Sequence, residues 1–200
     1  MATHNLLPKL LAELRTGIKA FPEGFYDSFK YTKTGSNFTH PWTIGLLSRI
    51  LWSLDGITEV GIDVRINRPD GAKFQPDLVA YRERKPVLLV DYESPNSSDA
   101  RVRDKDVKPY LKWVAGEEGR AEYIIITTLP DRHCPRWEVR YTSKGQCNQN
   151  VRDKRDEIRQ NPFGFWYSEY RRTLRDTPLG ALSFVNIDGR RVTPVRDVGA

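Results

Sequence analysis

Residues 76–93 read PDLVAYRERKPVLLVDYE, two apolar runs with carboxylates gathered at one end. Asp77 opens the first run, and Asp91 and Glu93 close the second. Side chains alternate along a strand, so Asp91 and Glu93 share a face with Val87 and Leu89, while Leu88, Val90 and Tyr92 point the other way. If the runs form a hairpin that pairs Tyr81 with Val87, Asp77 falls opposite Asp91 on the same side. A slip of one residue separates them. Carboxylates crowded at a sheet end raise one another's proton affinity unless something positive lies between them. Mg²⁺, with Mn²⁺ as a substitute, meets that need through carboxylate oxygens and water. An ion so held activates water and stabilises charge on a phosphate oxygen. The alternative is a solvated strand end whose carboxylates make ordinary salt bridges.

The flanking pattern supplies elements to hold these residues. Leu7, Leu10, Leu11, Leu14 and Ile18 follow helical spacing and predict a docked N-terminal helix over residues 5–20. Residues 21–42, rich in Phe, Tyr, Gly and Thr and carrying Lys30 and Lys33, read as a long irregular segment over the core or toward a ligand. Thr39, His40 and Pro41 predict a helix start, with Ile44, Leu47, Ile50, Leu51 and Leu54 as the buried stripe and Gly56 as terminator. His40, alone before that helix, could in principle act on a phosphate, but a loop residue is the simpler reading. Val60, Ile62, Val64 and Ile66 alternate as in one half-buried strand, whose polar face offers Glu59 and Asp63 as further acids or, equally well, as surface charges. A turn at residues 69–71 leads to the hairpin around RERK. PNSSD can cap a helix carrying Val107, Tyr110, Leu111 and Val114, and EYIIITTL reads as a strand buried on both faces.

The expected fold is therefore α/β, a mixed sheet flanked by helices in the order α-β-β-β-α-β, within one domain over residues 1–200. Its core covers about residues 40–130, and residues 131–200 form an elaboration. There WEVRYTS reads as a strand, VRDKRDEIRQ and WYSEYRRTLRD as helices, and LSFVNIDGRRVTPV as a hairpin turning at Asp188 and Gly189.

Composition narrows the function classes. Hydrophobic residues make up 38% and charged residues 29%, a globular balance. No run approaches the ~18 apolar residues of a membrane span, and Lys9, Glu13 and Arg15 break the N-terminal stretch as no signal peptide would. A cytoplasmic protein is expected. Cys134 and Cys147 have no CxxC companions and, with His133, complete no zinc pattern. The net charge of +6 lies wholly in the last third, since residues 1–131 hold 18 basic and 18 acidic residues. A basic region beside a neutral body suits a polyanion. Candidate contacts there are Arg136, Arg140 and Lys144, interleaved with Trp137 and Tyr141, and Arg171 and Arg172 in WYSEYRR. An aromatic core face with a solvated charged face explains WYSEYRR equally well.

The element order, with Pro76-Asp77 and Asp91-Tyr92-Glu93, resembles the PD-(D/E)XK superfamily of restriction and repair nucleases over roughly residues 40–130. The resemblance implies that Asp77 and Asp91 are metal ligands and that Glu93 stands where the family has lysine. The lysine's role would pass to Glu93 itself or to Lys105 or Lys108 in the following region, and Glu93 would join Asp77 and Asp91 in holding the ion. DYESPNSSDARVRDKDVKPYLKW is also similar to a family of restriction-endonuclease-like bacterial proteins, through Ser94, Pro95, Asp104, Lys108 and Tyr110. Together these imply a Mg²⁺-dependent endonuclease acting on DNA, double-stranded, and a homodimer if both strands are cut. The carboxylate at position 93 keeps open a second expectation, a catalytically inactive domain of this fold that binds nucleic acid or a protein. A hydrolase of RNA or a small phosphodiester is the third.

Overall fold

A computed structural model describes residues 6–26, 35–68, 70–93, 106–115, 121–128, 171–172, 175 and 182–195. Helix α1 spans Leu7–Gly17, extended by a 3-10 turn at Ile18–Ala20, and α2 spans Gly35–Ser53. Strands β1 (Glu59–Ile62), β2 (Ile66–Asn67), β3 (Lys73–Phe74), β4 (Leu78–Arg82) and β5 (Lys85–Glu93) follow. Helix α3 (Lys108–Val114), β6 (Glu122–Thr127), β7 (Leu182–Asp188) and β8 (Arg191–Val195) complete the described elements. The result is an α/β architecture around a mixed six-stranded sheet in the order β1-β4-β5-β6-β7-β8, beside a two-stranded β2-β3 ribbon. Strands β5, β6 and β7 run parallel, and the remaining pairs are antiparallel.

Alternation along the strands sorts the core into two layers. Leu78, Ala80, Leu88, Val90, Tyr92, Ile124 and Ile126 face α1 and α2, whose Leu10, Leu14, Leu47 and Leu51 are fully buried. Val79, Leu89, Tyr123 and Ile125 face α3 through Val107, Tyr110 and Trp113. As expected of a strand flanked on both sides and covered on both faces, β6 is buried along its length after Glu122.

Four expectations are corrected. Helix α2 starts at Gly35, so Pro41 lies inside it, where it withholds one backbone hydrogen bond. The alternating run 58–67 is not one strand: at Asp63 the backbone turns to φ 54°, a conformation that Asp tolerates better than most residues. Ile62 is left 56% exposed, and Ile66 pairs instead with Phe74 in the small ribbon. In the β4–β5 hairpin Ala80 pairs with Leu88 but Tyr81 with Pro86, so Val87 is an extra, bulged residue. Proline cannot donate to a ladder, and a bulge next to it removes the conflict. Val87 accordingly packs toward α1 and α2, not with Leu89. Last, β7 and β8 are strands of the main sheet, not an addition to it, and their two-residue turn is Gly189-Arg190, one position later than expected. The predicted elements WEVRYTS and VRDKRDEIRQ lie outside the described residues.

Candidate active site at the end of strand β5

Beyond the bulge the ladder is regular, with Leu78 opposite Val90, which brings Asp77 beside Asp91. The bulge thus overturns the expected Tyr81–Val87 pair but leaves the carboxylates in the expected register. The two acids are interlocked through the backbone. The Asp77 N–H donates to Asp91 Oδ1 (2.5 Å), and the Tyr92 N–H donates to Asp77 Oδ2 (2.8 Å). Asp77 is fixed from the other side as well, because its carbonyl accepts the Asp63 N–H (2.9 Å).

Two side chains complete the frame. His40 Nε2 lies 3.1 Å from both carboxylate oxygens of Asp77, and its ring leans on that of Tyr92, with centroids 6.1 Å apart. The Tyr123 hydroxyl donates to Asp91 Oδ2. Asp91 and Tyr123 approach from the α3 face and His40 and Tyr92 from the α2 face, so Asp77 joins the two layers across the sheet end. Asp91 and Glu93 are buried, at 4% and 6% exposure, whereas the His40 side chain is 41% exposed.

The electrostatics follow from this packing. Burial, then the neighbouring charge of Asp77, push the Asp91 carboxyl up to about 7, against the bonds from Tyr123 and the Asp77 amide that favour its ionised form. The bond to Asp77 raises the proton affinity of His40, and the charges of Glu93 and Asp63 add to it while burial opposes. Burial holds the Tyr123 phenol far above its usual range, with the charges of Asp91, Asp106 and Glu93 in support, so its hydroxyl stays a donor. Asp106, buried at the entry to α3, therefore belongs to the same electrostatic neighbourhood.

Among the described residues no three His, Cys, Asp or Glu side chains are arranged to hold a metal ion. Mg²⁺ asks for less: one or two carboxylates suffice when water and substrate phosphate supply the other ligands. Asp77 and Asp91 fit that demand in chemistry, as all-oxygen donors in a crowded site where a cation would offset the charge that raises the proton affinity of Asp91.

Of the other expected site residues, Lys108 is exposed at the first position of α3, and Arg171 and Arg172 are helical, half-buried and exposed respectively. Lys105, Lys30, Lys33, Arg136, Arg140 and Lys144 lie outside the described residues, as do the cysteines and His133. Sequence reasoning weighed His40 and set it aside as a loop residue, and it missed Tyr123 and Asp106. A signal for His40 was present: it precedes Ile44 by four residues and Leu47 by seven, the spacing of the buried stripe. Tyr123 is the one hydroxyl-bearing aromatic in the run EYIIIT.

Comparison with protein-family models, curated proteins and solved structures gives no match. Among the described residues no helix is long and apolar enough to cross a membrane.

Proposed function

We propose that this chain is a metal-dependent endonuclease that hydrolyses DNA phosphodiester bonds, built on a restriction-endonuclease-like core. The observation that carries the reading is the reciprocal lock of Asp77 and Asp91 at the end of β5, with Glu93 buried beside them. The order α2-β1-β4-β5-α3-β6, with β5 and β6 parallel, supports it as the arrangement that the sequence resemblance implies.

Asp77 and Asp91 would hold Mg²⁺ or Mn²⁺, with Glu93 as a further oxygen donor or as the acceptor of a proton from the attacking water. When bound, the cation supplies charge neutralisation at the phosphate and an acidified water. The backbone amides of Asp77 and Tyr92 keep both carboxylates in place before any ligand arrives, which is preorganisation of the kind catalysis needs. The basic residues of the last third would contact the DNA backbone, and cutting both strands would call for a second copy of the chain.

Supercoiled plasmid incubated with the protein and Mg²⁺ or Mn²⁺ tests this directly. Nicked or linear product is expected from the wild type and none from Asp91→Ala, once circular dichroism shows that the variant is folded.

One observation favours the second reading, a non-catalytic domain that binds nucleic acid or protein. Both Asp91 oxygens already accept protein hydrogen bonds, and Asp77 is met by His40 and the Tyr92 amide. Such a site is satisfied without an ion, and Glu93 stands in place of a catalytic lysine. DNA retention without cleavage, and no Mn²⁺ heat in calorimetry that depends on Asp91, would establish that reading instead.

A further inference from the structure

Tyr123 sits in the centre of the sheet on β6, fully buried, with its ring 4.9 Å from that of Tyr110 and 5.7 Å from that of Phe74. Phenylalanine would make the same ring contacts. A hydroxyl placed here needs a partner to offset its lost hydration, and the partner is Asp91 Oδ2. The neighbouring phenol is used differently, since the Tyr110 hydroxyl donates to the Ala121 carbonyl (2.7 Å) and ties α3 to the start of β6. Packing explains the ring of Tyr123 but not its oxygen. A buried phenol–carboxylate pair contributes little net stability compared with apolar residues of the same shape. The hydroxyl is therefore explained by what it does to Asp91.

The carboxylate is gripped from both neighbouring strands. Oδ1 accepts from the amide at the head of β4, and Oδ2 accepts from the phenol on β6. Two donors fix the carboxylate's rotation, and each oxygen has a further lone pair for a ligand. Donors of this sort, behind a metal ligand, orient it and set its basicity.

We infer that Tyr123 is a positioning residue, whose hydroxyl holds the Asp91 carboxylate in its ion-binding orientation. This rests on the reading of Asp91 as a metal-holding carboxylate.

The test is Tyr123→Phe in the full chain, with Mn²⁺ as the probe. The expected result is cooperative unfolding at a thermal midpoint somewhat below that of the wild type, because the buried Asp91 Oδ2 loses a donor, with Mn²⁺ affinity in calorimetry weaker by about 10- to 100-fold. The Mn²⁺ concentration for half-maximal plasmid nicking rises by the same factor, while the rate at saturating metal recovers. The Asp91 carboxyl carbon resonance, assigned by its loss in Asp91→Asn, also moves in the metal-free variant. Unchanged Mn²⁺ affinity with an unmoved resonance would overturn the inference, and so would loss of cooperative unfolding, which would make Tyr123 a packing residue. If the wild type binds no Mn²⁺, the metal reading fails by itself. The resonance then decides alone: a shift keeps the grip of Tyr123 on Asp91, and no shift removes it.

Discussion

Asp91 is the residue on which the site turns, and its burial has a measurable sign. In the unfolded chain an aspartate releases its proton near pH ~4, but here burial and the charge of Asp77 delay that release to about 7. Between those values the native state binds the extra proton, so the contribution of Asp91 to stability falls as pH rises. His40 acts in the same direction. Its proton affinity is raised, so the stabilisation from its bond to Asp77 is fully present below the ordinary imidazole range and lost as pH climbs through the raised value. Of the other groups that act on Asp91, the charge of Glu93 pushes in the same direction, and the hydrogen bonds from the neutral Tyr123 hydroxyl and the Asp77 amide oppose without reversing the sign. The expected outcome is a higher urea midpoint at pH 5 than at pH 8, with most of the decline removed by Asp91→Asn. A variant with the same slope as the wild type would show that Asp91 is not buried as described. On the proposed metal-binding reading, a divalent ion would compete with the same proton, so Mn²⁺ affinity should rise from pH 6 to pH 8.

At the scale of elements, the site depends on how helices and strands end. Helix α2 terminates before Gly56, whose φ of 76° lies in the left-handed region, and Arg82 of β4 closes that end by donating to the Asp55 and Gly56 carbonyls. A Cβ at Gly56 would also come within 2.9 Å of the Arg82 side chain. Gly56→Ala should therefore destabilise the protein by about 1–2 kcal/mol in urea unfolding, through the cost of a left-handed alanine. Gly56 as terminator was legible in the sequence, as were the β4–β5 hairpin, the two-faced strand β6 and the side of β5 that carries Asp91, because local periodicity encodes them. The bulge at Val87 was not, although Pro86 marks the place where a regular ladder loses a donor. The break at Asp63 is hidden because hydropathy alternation runs straight through a backbone reversal that changes no side-chain type. His40 looks like a loop residue only while the helix is taken to begin at Pro41, and the extra upstream turn makes it a core-facing one.

For the whole molecule, the largest departure from expectation is the place of the final hairpin. Strand β7 pairs in parallel with β6, Tyr123 opposite Leu182, across more than fifty residues of chain, and such a pairing leaves no local signature. Its Val185 and Ile187, with Val192 of β8, are buried in the layer under α1, and Arg15 of α1 donates to the Val192 carbonyl (3.2 Å). A chain ending at residue 180 would leave β6 as a bare apolar edge. It should lose cooperative thermal unfolding and bind a hydrophobic dye, whereas a sharp transition in that truncation would show that the sheet is complete without β7 and β8.

The extra residue at Val87 stands between the RERK turn and the carboxylates, and this gives the hairpin tolerance for drift. Loss of one residue on the turn side can be absorbed by straightening the bulge, with Leu78 still facing Val90 and Asp77 still locked to Asp91. The β4–β5 turn of a descendant chain is thus free to shorten by one position without a change in the acids it inherits.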